Sequence, residues 1–338
     1  MTKTSVVIPN WNGAKAISGC LDSLVKQTLP SQTIVVDNGS TDRSLAIIRD
    51  EHPDVDLIAL PKNKGFAGGV NVGIKRAIEN GSKYVALLNN DAVADKAWLK
   101  SLVDFMEDNQ KAGIATSKML NGAGKRLDST GEAYTIWGLP YPRGREESRT
   151  DKYDQDIWIF GASGGASIYR IKMLKEIGLF DEDFFAYYED VDLSFRAQLA
   201  GWKVAYAPKA VVYHQIGATS SRIQGFITYQ TIKNLPWLFW KNIPPGRIFL
   251  KVLLRFELAY TAFIIKAIAR GQVWAVVKGL SVYVILWPKK IWQRIQIQRR
   301  KKVSNDYIWD IITHDLPPGA HNLRKLRGWW WRLTGKGS

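Results

Sequence analysis

One cysteine, Cys20, stands in 338 residues. That excludes an internal disulfide framework and any zinc site built on several thiolates. The N-terminal stretch MTKTSVVIPNWNG has no long apolar run, so no secretory signal is expected and the catalytic part should face a reducing cytoplasm. The first strand–helix turn, PNWNGAK, lacks G-x-G-x-x-G, and no G-x-x-x-x-G-K-[ST] segment occurs. A nucleotide therefore has no glycine cradle and would have to be held by side chains and a metal. Acidic residues are scarce only at one end. From Lys233 onward there are 20 Lys+Arg against 4 Asp+Glu, whereas up to Ile232 each count is 27. The whole formal charge of +16 lies in the last third, with nine of the 14 tryptophans. Such asymmetry points to an anionic partner, membrane or nucleic acid. Hydrophobic residues at 46% and charged residues at 23% are ordinary globular values, and the length predicts about two domains.

The first third alternates two periodicities. Thr4–Pro9, Gln32–Asp37, Val55–Leu60 and Tyr84–Leu88 read as short buried strands, with Gly113–Ser117 as a fifth. Helical patterns run from Ala14 to Lys26, through Ile47 and Ile48 after the cap Ser40-Thr41-Asp42, up to Ile78 after a glycine-rich turn, and over Lys96–Asp108. Strands separated by helices predict an α/β fold with a mostly parallel sheet and right-handed crossovers. Ligands bind such sheets at the carboxyl ends of the strands. Here those ends carry Pro9-Asn10, Asp37-Asn38-Gly39, the Asn63–Gly69 turn and Asn89-Asn90-Asp91. Turns favour Asn, Asp and Gly in any case, but four polar ends should converge on one crevice.

The middle third holds GASGGAS at Gly161–Ser167, whose small residues allow close backbone approach. A helix is expected over Ile171–Ile177. Acidic residues then interleave with aromatics in FDEDFFAYYEDVDLSFR, from Phe180 to Arg196. A helix from Val191 would place Asp190 near its N-terminus, where the helix dipole favours a carboxylate. Trp202–Tyr206 and Ala210–His214 read as two short strands, the second ending on His214.

Taken in order, SVVIPNWNG, VVDNGSTD, NKGFAGGVN, LLNND, GASGGA, YYEDVDLSFR and the later histidine resemble glycosyltransferase family 2, and within it the bacterial rhamnosyltransferase-like members. The resemblance covers about residues 3–220. It implies a GT-A fold, a nucleotide-diphosphate sugar donor, a divalent metal (Mg²⁺ or Mn²⁺) and inversion at the anomeric carbon. It places Pro9 and Asn10 along the nucleobase and ribose, and Asp37 on the pyrimidine edge with Asn38, Gly39 and Ser40 shaping that loop. Asn63, Gly65 and Asn71 would lie beside the nucleoside and sugar, with Gly164 and Gly165 in the same group. The family's DxD metal motif falls on Asn89-Asn90-Asp91, so Asp91 alone keeps a carboxylate and His214 would be the second protein ligand. Asp190 matches the catalytic base, with Glu189 as an acceptor-side or orienting group. A dTDP-rhamnose donor is the first expectation and a UDP-sugar the second. A lipid-linked saccharide at the cytoplasmic leaflet is the implied acceptor, in cell-surface polysaccharide synthesis. A non-catalytic sugar-nucleotide or membrane scaffold on the same fold, and a nucleotidyltransferase, are the alternatives.

Three regions are expected: a catalytic domain over 1–225, a membrane-associating helical region over 226–302, and a basic, Trp-rich tail over 303–338. Arg247–Arg270 reads as a basic amphipathic helix, with Arg247, Lys251, Arg255, Lys266 and Arg270 inside one arc. The apolar segment 271–288 is near the length that spans a bilayer, and a basic cluster follows it. Residues 247–302 are thus expected to meet an anionic membrane surface, peripherally or through a re-entrant or spanning 271–288. A helical subdomain with a solvated basic face is the plainer reading. Nucleic acid is not expected, because the basic residues are separated by too much apolar sequence and no recognition motif occurs.

Overall fold

The structure, a computed structural model, describes residues 3–148, 151–214 and 224–320. Trp329, Trp330 and Trp331 of the expected tail lie outside the described residues. The first half follows the alternation read from the sequence: β1 (Thr4–Asn10), α1 (Ile17–Val25), β2 (Gln32–Asp37), α2 (Ser44–Glu51), β3 (Asp56–Ala59), α3 (Gly65–Glu79) and β4 (Tyr84–Leu88). These strands pair in parallel, β4 and β2 flanking β1 and β3 lying beyond β2. The aliphatic residues of β1, β2 and β4 are buried on both faces, which is why they read as continuous apolar runs, whereas those of the edge strand β3 are half-buried or exposed.

The glycine-rich segment is not a turn. Helix α3 already begins at Gly65. Glycine lowers helix propensity, yet here it allows close packing: a Cβ on Gly73 would lie 2.3 Å from the Val7 side chain on β1.

The second half is mixed. It runs β5 (Ala92–Ala94), α4 (Trp98–Asp108), β6 (Ala112–Asn121), β7 (Leu127–Ser129), β8 (Glu132–Tyr134), β9 (Pro140–Pro142), β10 (Ile157–Ile159), β11 (Ala166–Arg170), α5 (Ile171–Ile177), α6 (Glu189–Leu199) and β12 (Lys203–His214). The sheet order is β10-β12-β6-β11-β4-β1-β2-β3, with β5 on β12 and β7 on β6. β11 is antiparallel to both β4 and β6, while β6 and β12 are parallel. The two expected strands after Gly201 are one strand, β12. Pro208 falls at a register irregularity between Ala207 and Val211, so the strand bends there without ending.

Among the described residues five helices follow: α7 (Phe226–Asn242), α8 (Arg247–Ala269), α9 (Val273–Ile285), α10 (Trp287–Arg299) and α11 (Asn305–Ile311). They share one core with the preceding part of the chain, in which Phe184, Val191 and Phe195 meet Ile232, Trp237, Phe239 and Phe256. Packing and hydrogen bonding continue past residue 302. Ile308 and Ile312 are buried in that same core, and Thr313 exchanges backbone hydrogen bonds with Tyr134 and Ile136. Segment 271–288 is not one helix either. α9 has 13 residues, about 20 Å at 1.5 Å per residue, against a hydrocarbon thickness of about 30 Å. Among the described residues no helix is long and apolar enough to cross a membrane.

Phe256 is 1% exposed and stacks on Phe239 at 4.4 Å. Phe256→Ala should therefore lower unfolding free energy by about 3–5 kcal/mol, read by urea denaturation of the full chain.

Candidate active site

The strand ends are joined by a run of side-chain hydrogen bonds. Asn10, at the end of β1, donates from Nδ2 to Asp37 Oδ1 at 2.8 Å. Asp37 closes β2 and also accepts from the Ser40 backbone N–H at 3.0 Å and from Ser40 Oγ at 2.5 Å. Asn90 donates to Asn10 Oδ1 at 2.7 Å, which ties the end of β4 to the end of β1. Asn38 donates to Gly65 O and accepts from Lys64 N–H, both at 2.8 Å, so it sets the start of α3. Asn63 Oδ1 takes the Gly65 N–H at 2.7 Å. Gly39 has φ +74°, and a Cβ there would meet the Lys62 backbone at 2.8 Å.

Asp91 and His214 come together although 123 residues separate them in sequence. β5 pairs with the end of β12 in the register His214 to Ala92, and His214 Nε2 lies 3.1 Å from Asp91 Oδ1. Nδ1 of the same ring lies 2.8 Å from Asp128 Oδ2. Burial by itself would lower the imidazole, but its hydrogen bonds to Asp128 and Asp91 push it up to about 9. Asn89 Nδ2 is 3.3 Å from Nε2. No three His, Cys, Asp or Glu side chains are grouped to hold a metal among the described residues. The Asp91–His214 pair nevertheless fits a cation that completes its shell with ligand phosphates, as magnesium commonly does. A cation held by both side chains would displace the proton between them. Asp128 would then orient the ring from behind, as carboxylates do for metal-bound imidazoles.

The second half of the site hangs on α6. Glu189 and Asp190 both lie in its first turn, so the helix starts two residues earlier than the periodicity predicts. Asp190 Oδ2 accepts the Gly164 N–H at 2.9 Å. Next along the chain, Gly165 O accepts the Asn89 N–H at 2.9 Å. Gly164 thus touches the base candidate, and Gly165 touches the Asn89–Asp91 segment. Burial pushes the Asp190 carboxyl up from its ordinary range. Burial and the neighbouring Asp190 push Glu189 up to about 8. Glu132, on β8, is held well above the ordinary carboxylate range by burial and by Asp190.

Asn71 is placed differently from the other donor-side candidates. It is 3% exposed. Its amide donates to Phe180 O at 2.9 Å and Glu182 Oε1 at 3.0 Å, and accepts from the Phe180 N–H at 3.1 Å. It ties α3 to the start of the acidic segment. Asp128, Glu132 and Arg145, which pairs with Asp128 at 3.0 Å, carry no spacing signal that sequence reasoning could have used.

The family model described as glycosyl transferase family 2 matches residues 5–178, just over half of the chain. An N-acetylglucosaminyl-diphospho-decaprenol L-rhamnosyltransferase from Mycobacterium tuberculosis is 26% identical over 215 residues, covering 57% of this chain and 69% of that protein. The dTDP-rhamnosyl transferase RfbF of Shigella flexneri is 24% identical over 243 residues, covering 69% and 78%. The mannosyltransferase PcManGT from Pyrobaculum calidifontis, solved with GDP-Man and Mn²⁺, superposes with a TM-score of 0.52 at 17% identity, covering 91% of this chain and 87% of that one.

Gly65 is where the two halves of the crevice touch. Its φ is +75°, and a Cβ would lie 2.3 Å from Phe185 O. Gly65→Ala should displace that backbone and lower turnover by about 10- to 100-fold, with far-UV circular dichroism unchanged.

Proposed function

This chain belongs to glycosyl transferase family 2, and from that premise we propose that it is an inverting, metal-dependent transferase. It moves a sugar from a nucleotide-diphosphate donor, dTDP-rhamnose as the first reading and a UDP-sugar as the second, to a hydroxyl of a lipid-linked saccharide. One observation carries the reading. A polar path runs Asp37–Asn10–Asn90, passes along the chain to Asn89, and crosses Gly165-Gly164 to Asp190. Residues from five separate segments are therefore joined in one hydrogen-bonded path. The rhamnosyl relatives support the sugar, and the Mn²⁺ complex of the mannosyltransferase supports the metal.

An acceptor hydroxyl is far too weak an acid to ionise unaided at neutral pH. As its oxygen bonds to the anomeric carbon, the bond from that carbon to the diphosphate breaks. The proton passes to a carboxylate within hydrogen-bond reach. Asp190 is that carboxylate, and its hydrogen bonds to the Gly164 and Val191 N–H groups fix its direction. A single displacement with one base inverts the configuration. A divalent cation held by Asp91 and His214 would neutralise charge on the departing diphosphate. Asp37, Asn10 and Ser40 would grip the nucleoside end.

The same reading places the protein at the cytoplasmic face of a membrane, peripherally. What supports this is α8, whose apolar residues form two faces. Val252, Phe256 and Tyr260 are buried, whereas Leu250, Leu254, Leu258 and Ile265 are exposed, Leu254 by 77%. Twelve of the seventeen exposed large hydrophobic side chains among the described residues lie in α8, α9 and α10, Trp274 (78%) and Ile285 (71%) among them. Exposed Lys251, Lys266 and Lys278 lie on the same helices, and exposed Arg270 directly follows α8. Clustered apolar side chains beside cations fit the interface of an anionic bilayer.

Asp190→Asn should lower turnover by about 10²- to 10⁴-fold while calorimetric donor affinity with Mn²⁺ holds. Because burial raises this carboxyl and the base must be ionised, wild-type kcat should climb with pH along an acid limb above the ordinary carboxylate range. Near-normal turnover in the variant would remove Asp190 from the role. Release of pyrophosphate instead of nucleoside diphosphate would remove the transferase reading itself. For the membrane face, a Leu254→Glu, Leu258→Glu double variant of the full chain should lose flotation with phosphatidylglycerol vesicles. Flotation equal to wild type would clear that face of any role.

A further inference from the structure

The turn that leads into α6 has a backbone its own sequence does not favour. Phe185 sits at φ 66°, ψ −62°, and the Ala186 N–H donates to Phe184 O at 2.8 Å, closing a tight three-residue turn. Tyr187 at φ 69° and Tyr188 at φ 71° follow. None of the three is glycine, and each such residue costs about 1–3 kcal/mol. Tyr188 is the residue that opens α6, directly before Glu189 and Asp190. Something outside the turn must hold it in this shape.

That support comes from α7. Asn234 Nδ2 donates to Phe184 O, Ala186 O and Tyr187 O, all at 2.9 Å. Lys233 Nζ donates to Asp183 O at 2.8 Å and Phe184 O at 3.2 Å. Two adjacent side chains thus satisfy four carbonyls between Asp183 and Tyr187. Asn234 Oδ1 is buried without a hydrogen-bond partner, so the side chain is set by its donor end alone. From the opposite side, the Ala67 N–H at the start of α3 donates to Phe185 O at 3.2 Å.

We infer that Lys233 and Asn234 are positioning residues for the catalytic carboxylate, holding the 183–188 turn so that Asp190 meets the acceptor hydroxyl. The C-terminal helices are then part of the catalytic machinery as well as a surface. This rests on the reading of Asp190 as base. Lys233 is enclosed by Asp181 and Asp183 of the turn, Glu189 of α6 and Lys290 of α10. Burial, with Lys290 adding, brings its ammonium down to about 8 against the pull of those carboxylates. Its partners on the turn are the carbonyl oxygens of Asp183 and Phe184, which accept from any cationic N–H donor, so a permanent cation should serve in its place.

The test uses the full-length protein with nucleotide sugar, Mn²⁺ and a lipid-linked acceptor. Asn234→Asp keeps the shape but turns acceptors toward three carbonyls, and Asn234→Ala removes the donor. Both should lower kcat by about 100-fold with donor KM near wild type, and with a melting temperature that is lowered but still well above the assay temperature. Lys233→Met should do the same to a lesser degree, and Lys233→Arg should regain most of the loss. Unchanged kcat in folded Asn234→Ala, or a Lys233→Arg protein as impaired as Lys233→Met, would overturn the inference. So would kcat losses that merely track lost donor binding or loss of folded protein at the assay temperature. If both Asn234 variants fail to fold, the Lys233 pair decides alone. Should Asp190→Asn keep its turnover, the base reading falls and takes the inference with it. An inactive Asp190→Asn beside a fully active Asn234→Ala would refute the positioning role only.

Discussion

Carboxylates and lysines that water does not reach hold the two parts of this molecule at one spacing. Asp192 of α6 is fully buried, with Lys241 Nζ and Arg196 Nε each at 2.9 Å and Asn242 Nδ2 at 2.8 Å. Asp181 accepts from Lys241 at 2.6 Å and Lys290 at 2.7 Å. Burial would raise Asp181, but the two lysines overcome it and hold the carboxyl well below its ordinary range. Removing one partner from such a pair costs about 3–5 kcal/mol, whereas an exposed ion pair contributes about 0–1 kcal/mol. These carboxylates flank the segment that carries Asp190. Its position is therefore fixed from the helical layer as much as from the sheet.

The cluster changes what the charge excess of the last third means. Lys233, Lys241 and Lys290 are each 3% exposed or less, so part of the positive charge is internal and answered by acids of the catalytic part. The remainder lies outside, at exposed positions such as Lys251, Lys266 and Arg270 near the leucine face. One helical layer carries two faces with different physical requirements. Cutting the chain ahead of α7 would uncover Phe184, Val191 and Phe195 along with the acids. Contact with a bilayer must accordingly be probed by surface substitutions in the intact chain.

The fold was legible where burial is simple. β1, β2 and β4 are aliphatic runs buried on both faces, and the helices between them carry a clear apolar stripe. β5 and β7 to β10 span three residues each, too few for any periodicity. The start of α3 read as a turn because composition cannot tell a glycine that bends the chain from one that lets a helix approach a strand. The strand-end positions of Asn10, Asp37, Asn89, Asn90 and Asp91 were legible because the end of an apolar run marks where a strand stops. Asp128 and Asn234 were not. Each acts through long-range contacts, and an isolated Asp or Asn in a sequence carries no sign of them.

The two halves of the crevice are built by different means. The donor-side half follows local strand–turn–helix units, and the family match, ending at residue 178, covers it. Asp190 and His214 lie beyond that match, and their half is assembled from the Gly164 segment, the acidic turn and α7. The halves meet through polar contacts such as Asn89 on Gly165, Asp91 on His214, Ala67 on Phe185, and Asn71 on Phe180 and Glu182. Glycine at 185 or 187 would relieve the backbone, but it would remove the rings of Phe185 and Tyr187 that pack against Phe226, each at 6.2 Å. The strained turn therefore does two things that an unstrained one could not do together. It directs aromatic surface toward the start of α7, and it brings the following helix in with its first-turn carboxylate facing Gly164. Strain of this kind persists only where the surroundings over-determine it, and the carbonyl contacts of Lys233 and Asn234 are that over-determination.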